Sequence, residues 1–436
     1  MDLIRVGDVC EKIINNPEEN IELLAKLVEI DDPLILLALG KLFKNICPLY
    51  KIRVHSNKIK HKNADLEINK TDKVLLGYYN KFLKTICNSQ LAESYKTACI
   101  LLESLDHFNF NDRLVSKVLL GTTKHGISDY CVNTLVDRIK FDEDSIHLIL
   151  DSCLDYKFGP QICDVLHESS YLNKCVQMRI DKEEKYLKKQ YERPPKMSKE
   201  EKKFFGRKFL KGKMKKEEKC RLILQKETRK EEKNELDCID DKIYVKTINA
   251  LQRLIFTVLK EKRTSCLMGV FKAVRTFKRI IRKEFYEGLQ FLLNENIQET
   301  KSIDNILEGV NTIISVFGES NYDLRISLNK LYQVARPFNP DLSDSQLKVC
   351  CNLIRELFIL RKESKNRSKN ILARLLVLST FIYSDDLDKL VKEITNLYDI
   401  DVTDSSLHTS TTFETDIDNS NKVSFICNSL RNKRNF

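Results

Sequence analysis

Lysine and arginine crowd one stretch of this chain in a pattern suited to binding phosphates. Between Arg193 and Lys216 there are eleven basic residues against two acids, Glu200 and Glu201. Lys196, Lys199, Lys202, Lys203, Arg207, Lys208, Lys211, Lys213, Lys215 and Lys216 recur every few positions, and Phe204, Phe205 and Phe209 lie among them. Cations at this density neutralise a phosphate backbone, and rings beside them stack on unpaired bases. Contact with six to eight phosphates of single-stranded RNA would make log K fall with log salt at a slope of roughly −4 to −6. The competing reading is a solvated helix or linker, because mixed Lys/Glu runs commonly do no more than that. Nuclear import receptors can read the same clusters.

Residues for catalysis or metal binding form no comparable pattern. Neither G-x-x-x-x-G-K-[ST] nor G-x-G-x-x-G occurs; Gly121 to Gly126 resembles a phosphate loop but continues as Ile127-Ser128 where Lys and Ser or Thr are needed. Gly126 is expected in a turn between helices. Cys153, Cys163, His167 and Cys175 could meet at a helix junction, but their spacing fits no zinc pattern, and the stripe Ile162, Val165 and Leu166 explains them as core. Asp142-Glu143-Asp144 and Asp385-Asp386 stand at expected helix starts, where the macrodipole favours carboxylates whatever the function. The expectation is a protein that is not an enzyme, with no cofactor and no metal. A helical Cys/His metalloprotein stays as an alternative of a different class.

The elements that must carry these residues follow from composition and period. The 436 residues are 42% hydrophobic, enough for two or three domains, and the 12 Gly, 8 Pro and no Trp argue against all-β or Gly-loop α/β architecture. Helical stripes recur: Ile35, Leu39, Leu42 and Phe43; Leu75, Tyr79, Phe82, Leu83 and Ile86; Leu251, Leu254, Ile255 and Val258; Val270, Val274 and Phe277; Cys350, Leu353, Ile354, Leu357 and Phe358. Asn16-Pro17, Asp32-Pro33, Pro48 and Gly159-Pro160 punctuate them, and Ser198 with Glu201 has the form of a capping box. Short amphipathic helices in series predict an all-α fold, an irregular α-solenoid of HEAT/armadillo-like pairs in two blocks joined by a basic, partly helical segment. A compact bundle remains open for either block. The expected boundaries are 1–175 for the N-terminal helical-repeat domain, 176–242 for the basic linker, 243–402 for the C-terminal helical domain and 403–436 for a polar, disordered tail.

Charge follows the same division. Of a net +11, Arg179 to Glu235 carries +10, with 22 basic against 12 acidic residues, while the rest of the chain holds 52 against 51. Fourteen scattered cysteines, none in C-x-x-C spacing, read as small core residues. Asp2, Arg5 and Asp8 interrupt any signal-peptide run, and the longest uncharged apolar stretch, Leu375 to Ser384, is far below the roughly 20 residues of a membrane span. A soluble intracellular protein with reduced thiols is expected, with no membrane contact.

Local phrases resemble a known family. Cys10-Glu-Lys-Ile-Ile-Asn-Asn-Pro17-Glu-Glu-Asn20, followed by Leu42-Phe43-Lys44-Asn45-Ile46-Cys47-Pro48-Leu49-Tyr50-Lys51-Ile52-Arg53, is similar to the nucleolar complex-associated protein 3 family, whose phrase ends Pro-Gly-Tyr-Arg-Ile-Arg. Leu49, Lys51 and Asn45 depart from it, whereas Pro48, Tyr50 and Arg53 keep its frame. Met197 to Lys203 resembles the family's basic phrase, and Tyr244 to Leu293 with Ser302 to Pro337 is similar in pattern to its CBF/Mak21 region. The resemblance implies a helical, non-enzymatic nucleolar and nuclear assembly factor of the large ribosomal subunit. It further implies a partner like nucleolar complex protein 2 and contact with precursor ribosomal RNA on pre-large-subunit particles; a chromatin-associated role in replication licensing is the implied alternative. Tyr50 and Arg53 are candidate partner or RNA contacts, though Tyr50 could equally pack behind Pro48 and close a helix pair.

Overall fold

The computed structural model describes residues 3–52, 70–105, 107–141, 146–191, 241–318, 324–336 and 342–400, and the short pairs 408–409 and 421–422. The chain is all-α, as its periodicity predicts, and divides into two compact units, Met1–Leu254 and Ile255–Phe436. The basic residues Lys196 to Lys216, the Ser198 capping box, Arg53 and Asp142 to Asp144 lie outside the described residues.

In the first unit the helices are α1 (Leu3–Asn15), α2 (Pro17–Asn20), α3 (Leu24–Leu27), α4 (Pro33–Ile46), α5 (Lys70–Asn88), α6 (Ala92–Ser104), α7 (Asn111–Gly121), α8 (Ser128–Phe141), α9 (Ile146–Asp155), α10 (Pro160–Asp164) and α11 (Ser170–Tyr191). The breaks expected at Pro17, Pro33, Pro48 and Pro160 fall where the sequence places them. Pro17, Pro33 and Pro160 each occupy a first-turn position, where a missing N–H removes no hydrogen bond. Asp32 caps α4, accepting from Leu34 N at 3.0 Å and Ile35 N at 3.1 Å. Gly126 turns the chain between α7 and α8 at φ +81°, a conformation that suits glycine alone.

Most contacts run between helices one or two apart in sequence: α4 on α6, α5 on α6 and α7, α6 on α7 and α8, α7 on α8 and α9. This near-neighbour pattern is that of stacked helical pairs. Gly40 on α4 permits a close approach, since a Cβ there would stand 2.6 Å from Thr97 Cγ2 on α6. Phe43, Tyr79, Phe82 and Phe108 form the aromatic centre, with ring centroids 5.0–5.3 Å apart.

The second unit repeats the scheme. Helix α12 (Asp241–Lys260) runs into it, followed by α13 (Leu267–Thr276), α14 (Tyr286–Glu299), α15 (Ile303–Phe317), α16 (Arg325–Val334), α17 (Asp344–Arg355), α18 (Lys365–Phe381) and α19 (Asp385–Tyr398). Helix α15 is central and touches α13, α14, α16 and α17. Its Gly309 faces Ile297 and Phe271, within 2.6 Å and 3.0 Å of where a Cβ would sit. Ser343 and Gln346 form a capping box at α17, and Asp385, Asp386 and Asp388 stand in the first turn of α19. The stripe ending in Leu357 and Phe358 is buried, but Glu356–Leu360 runs as a π-helical turn rather than a continuation of α17. His408–Thr409 pairs antiparallel with Asn421–Lys422, the one strand pairing among the described residues.

Candidate partner-docking site at the Pro48–Ile52 turn

Helix α4 ends at Ile46 because Pro48 cannot donate into it, and Cys47 N makes the last bond, to Phe43 O at 3.0 Å. The chain then turns through Pro48, Leu49, Tyr50 and Lys51, and three distant residues fasten it. His107 Nε2 donates to the Pro48 carbonyl at 3.2 Å. Asn109 pairs with the backbone of Ile52 in both directions: Ile52 N donates to Asn109 Oδ1 at 3.0 Å, and Asn109 Nδ2 donates to Ile52 O at 3.0 Å. The Tyr50 hydroxyl donates to Asp72 Oδ2 at 2.9 Å, from the first turn of α5.

Beneath the turn, Cys47 and Ile52 are buried. Above it, Leu49 is 87% exposed and Tyr50 57% exposed, so Tyr50 does not pack away behind Pro48. A leucine and a tyrosine presented on a fastened backbone have the form of a candidate anchor, because part of the ordering that binding demands is already in place. Beside them lies a cavity of about 140 Å³ lined by Pro17, Glu18, Ile21, Ile46, Pro48, Thr71, Asp72 and Leu75. The Asp72 carboxylate stabilises the protonated phenol by accepting its hydrogen bond, which holds Tyr50 above the ordinary tyrosine value.

Of the sequence-predicted site residues, Tyr50 is thus placed on a fastened, exposed turn. Asp72, His107 and Asn109 were not anticipated. They lie 22 to 59 residues away along the chain, so no local pattern links them to the turn.

The cysteines read as core rather than chemistry. Nine of the eleven described cysteines are buried. Burial pushes the Cys47 and Cys350 thiols well above their ordinary values and the Cys351 thiol up to about 11. Cys99 and Cys131 approach to 3.8 Å between sulfurs, and that hydrogen bond together with burial raises Cys99. Cys153, Cys163 and Cys175 are buried. Among the described residues no group of three or more His, Cys, Asp or Glu is arranged to hold a metal ion, and no helix is long and apolar enough to cross a membrane.

The family profile described as "Nucleolar complex-associated protein" matches residues 4–82, which contain the turn, Asp72 and every residue lining the cavity. A zebrafish (Danio rerio) "Nucleolar complex protein 3 homolog" is 25% identical over 337 residues, 66% of this chain and 41% of its own length. The human (Homo sapiens) protein of the same description is 25% identical over 377 residues, 76% of this chain and 46% of its own. An Arabidopsis thaliana "Nucleolar complex-associated protein 3" is 26% identical over 160 residues, 33% of this chain and 19% of its own. The chain spans less than half the length of these relatives. The profile and the relatives together support one family for this chain, that of nucleolar complex protein 3.

Proposed function

We propose that this chain is a nucleolar assembly factor of the large ribosomal subunit that works by binding and not by turnover. It docks a second nucleolar protein, of the nucleolar complex protein 2 kind, and holds precursor ribosomal RNA. The observation that carries the docking half is the Pro48–Ile52 turn: it lies inside the segment matched by the family profile and presents Leu49 and Tyr50 on a backbone fixed by His107, Asn109 and Asp72. The RNA half rests on the +10 charge of Arg179 to Glu235 and the phenylalanines within it. The names of the relatives support a nucleolar location.

The test is affinity purification of the tagged chain from cells, beside a Leu49→Asp/Tyr50→Ala double variant. The parent chain should recover one nucleolar protein in stoichiometric amount together with large-subunit precursor RNA, and RNase should disperse the particles. The double variant should lose the protein and keep its helical content. Equal recovery of the partner by both chains would sink the docking assignment. Release by DNase in place of RNase would favour the chromatin role.

A further inference from the structure

The cavity beside the Pro48–Ile52 turn constrains the chemistry that a docked partner brings. Its walls are apolar: Ile21 and Leu75 are buried, Ile46 is half-buried, and Pro17 and Pro48 close the sides. Four stretches of chain converge on it, namely the start of α2, the turn Ile21–Leu23, the end of α4 with Pro48, and the beginning of α5. Its volume of about 140 Å³ is close to the ~150 Å³ of an apolar cavity that holds benzene, which is room for one branched aliphatic or phenyl side chain.

The rim is anionic. Glu18 and Asp72 contribute carboxylates, and no Lys, Arg or His lines the space. Glu18 is exposed, Asp72 is half-buried, and neither forms an ion pair among the described residues. Asp72 accepts from the Tyr50 hydroxyl at 2.9 Å, but a neutral phenol satisfies one oxygen without cancelling the charge. Both carboxylates stand in the first turns of helices, where the dipole favours them. That explains their sign but not their convergence on one apolar recess. Two uncompensated carboxylates at its mouth repel an acidic partner and favour a cation next to the inserted group. Pro48 and Asp72 belong both to the recess and to the turn that presents Leu49 and Tyr50, so one partner segment can engage both features.

We infer that this recess takes one aliphatic or aromatic side chain of the docking partner, flanked within a helical turn by a Lys or Arg that faces Glu18 and Asp72. The inference rests on the proposed docking role, and the test separates the two. The probe is the nucleolar protein that co-purifies with the tagged chain, isolated and titrated against the full chain at low ionic strength. Glu18→Gln should weaken binding about threefold and Glu18→Lys about tenfold, with the difference shrinking as salt rises. Ile46→Phe, which fills the recess from its wall, should weaken binding about tenfold at any salt. Glu18 is exposed, so the helical content and thermal midpoint of its variants should match the parent chain, and they decide the matter even where Ile46→Phe fails to fold. The photo-crosslinking variant Glu18→p-benzoylphenylalanine then labels whatever lies over the recess.

Labelling of a partner peptide with an apolar residue within one turn of a Lys or Arg would bear the inference out. Labelling of an acidic or wholly polar partner peptide would overturn it. So would labelling of this chain's own residues 53–69, which include Lys58-Ile59-Lys60 and carry the same chemistry. If Glu18→Lys binds as the parent does while Leu49→Asp/Tyr50→Ala loses the partner, the recess is not used and the proposed docking role survives. If Leu49→Asp/Tyr50→Ala also keeps the partner, both ideas fail together.

Discussion

Removing the Asn109 amide should release the Leu49–Tyr50 turn without altering either exposed residue. Asn109 supplies both hydrogen bonds of the Ile52 peptide groups, each 3.0 Å long, and Ile52 is only 4% exposed, so water does not readily replace them. At a net worth of about 1 kcal/mol each, Asn109→Ala should lose about 2 kcal/mol of local stability. At one factor of ten for each 1.4 kcal/mol, that is roughly a 30-fold loss of hydrogen-exchange protection at Ile52. Asn109→Asp is the informative companion, because it keeps an acceptor for the Ile52 N–H but turns a lone pair onto the Ile52 carbonyl. Exchange measured by mass spectrometry over 47–52 reads the effect directly, and a urea transition read beside it shows whether the rest of the unit holds. Recovery of the nucleolar partner should fall in proportion to the lost protection. An Ile52 amide as slow in Asn109→Ala as in the parent chain would refute the claim that this side chain fixes the turn. Fast exchange with undiminished partner recovery would refute the claim that a fixed turn matters for docking.

Four further outcomes follow from the same geometry. Gly309→Ala should destabilise by about 1–3 kcal/mol, because its Cβ meets Ile297 and Phe271, whereas Gly288→Ala, with nothing nearer than Phe256 at 4.0 Å, should stabilise by up to about 1 kcal/mol; thermal unfolding of the pair checks both signs. Asp32→Ala removes the α4 cap and should cost about 1 kcal/mol in a urea transition. Tyr50→Phe deletes an exposed hydrogen bond and should change global stability by less than about 1 kcal/mol, so any larger loss of partner binding is a contact effect. Stability should fall at alkaline pH: the raised folded-state values of Cys47, Cys350 and Cys351 mean that the unfolded thiols ionise first, so this stability is complete below the unfolded value and is lost above it, for Cys351 between about 9 and 11. The slope is at most about 1.4 kcal/mol per pH unit per thiol, and Cys351→Ala should remove its share in pH-dependent urea transitions.

What the sequence reveals and what it hides divide along the range of the interactions. The helical stripes and the proline breaks at Pro17, Pro33, Pro48 and Pro160 are set within a turn or two of each residue, so period and backbone chemistry are enough to find them. The π-helical turn at Glu356–Leu360 sits inside an unbroken apolar stripe, and a stripe does not distinguish five residues per hydrogen-bonded loop from four. Tyr50 can be singled out by its phrase, but Asp72 comes from α5 and Asn109 reaches Ile52 from the α6–α7 connection, and hydrogen bonds across 22 and 57 residues have no signature in spacing. The cations of Lys272 to Lys283 escape notice for another reason. Outside the basic segment the chain is balanced at 52 against 51, and an average over that length conceals a local run that only the exposed turn gathers into one place.

The docking and phosphate-binding surfaces make opposite demands, and the chain meets each in a different way. A docking anchor gains from rigidity, since each side chain ordered beforehand is entropy that association need not remove; the Pro48–Ile52 turn is accordingly tied to α5 and to the α6–α7 connection. Phosphate contact gains from charge density and tolerates imprecise geometry, because the force is long-ranged and largely independent of orientation. Arg279 and Lys283 stand exposed beside a turn held by Lys278 and Tyr286. Uncharged substitutions at the first surface should act through structure and reach binding at any salt. Charge substitutions at the second should fade as salt rises, so ionic strength separates them from the uncharged substitutions at the first in one binding assay.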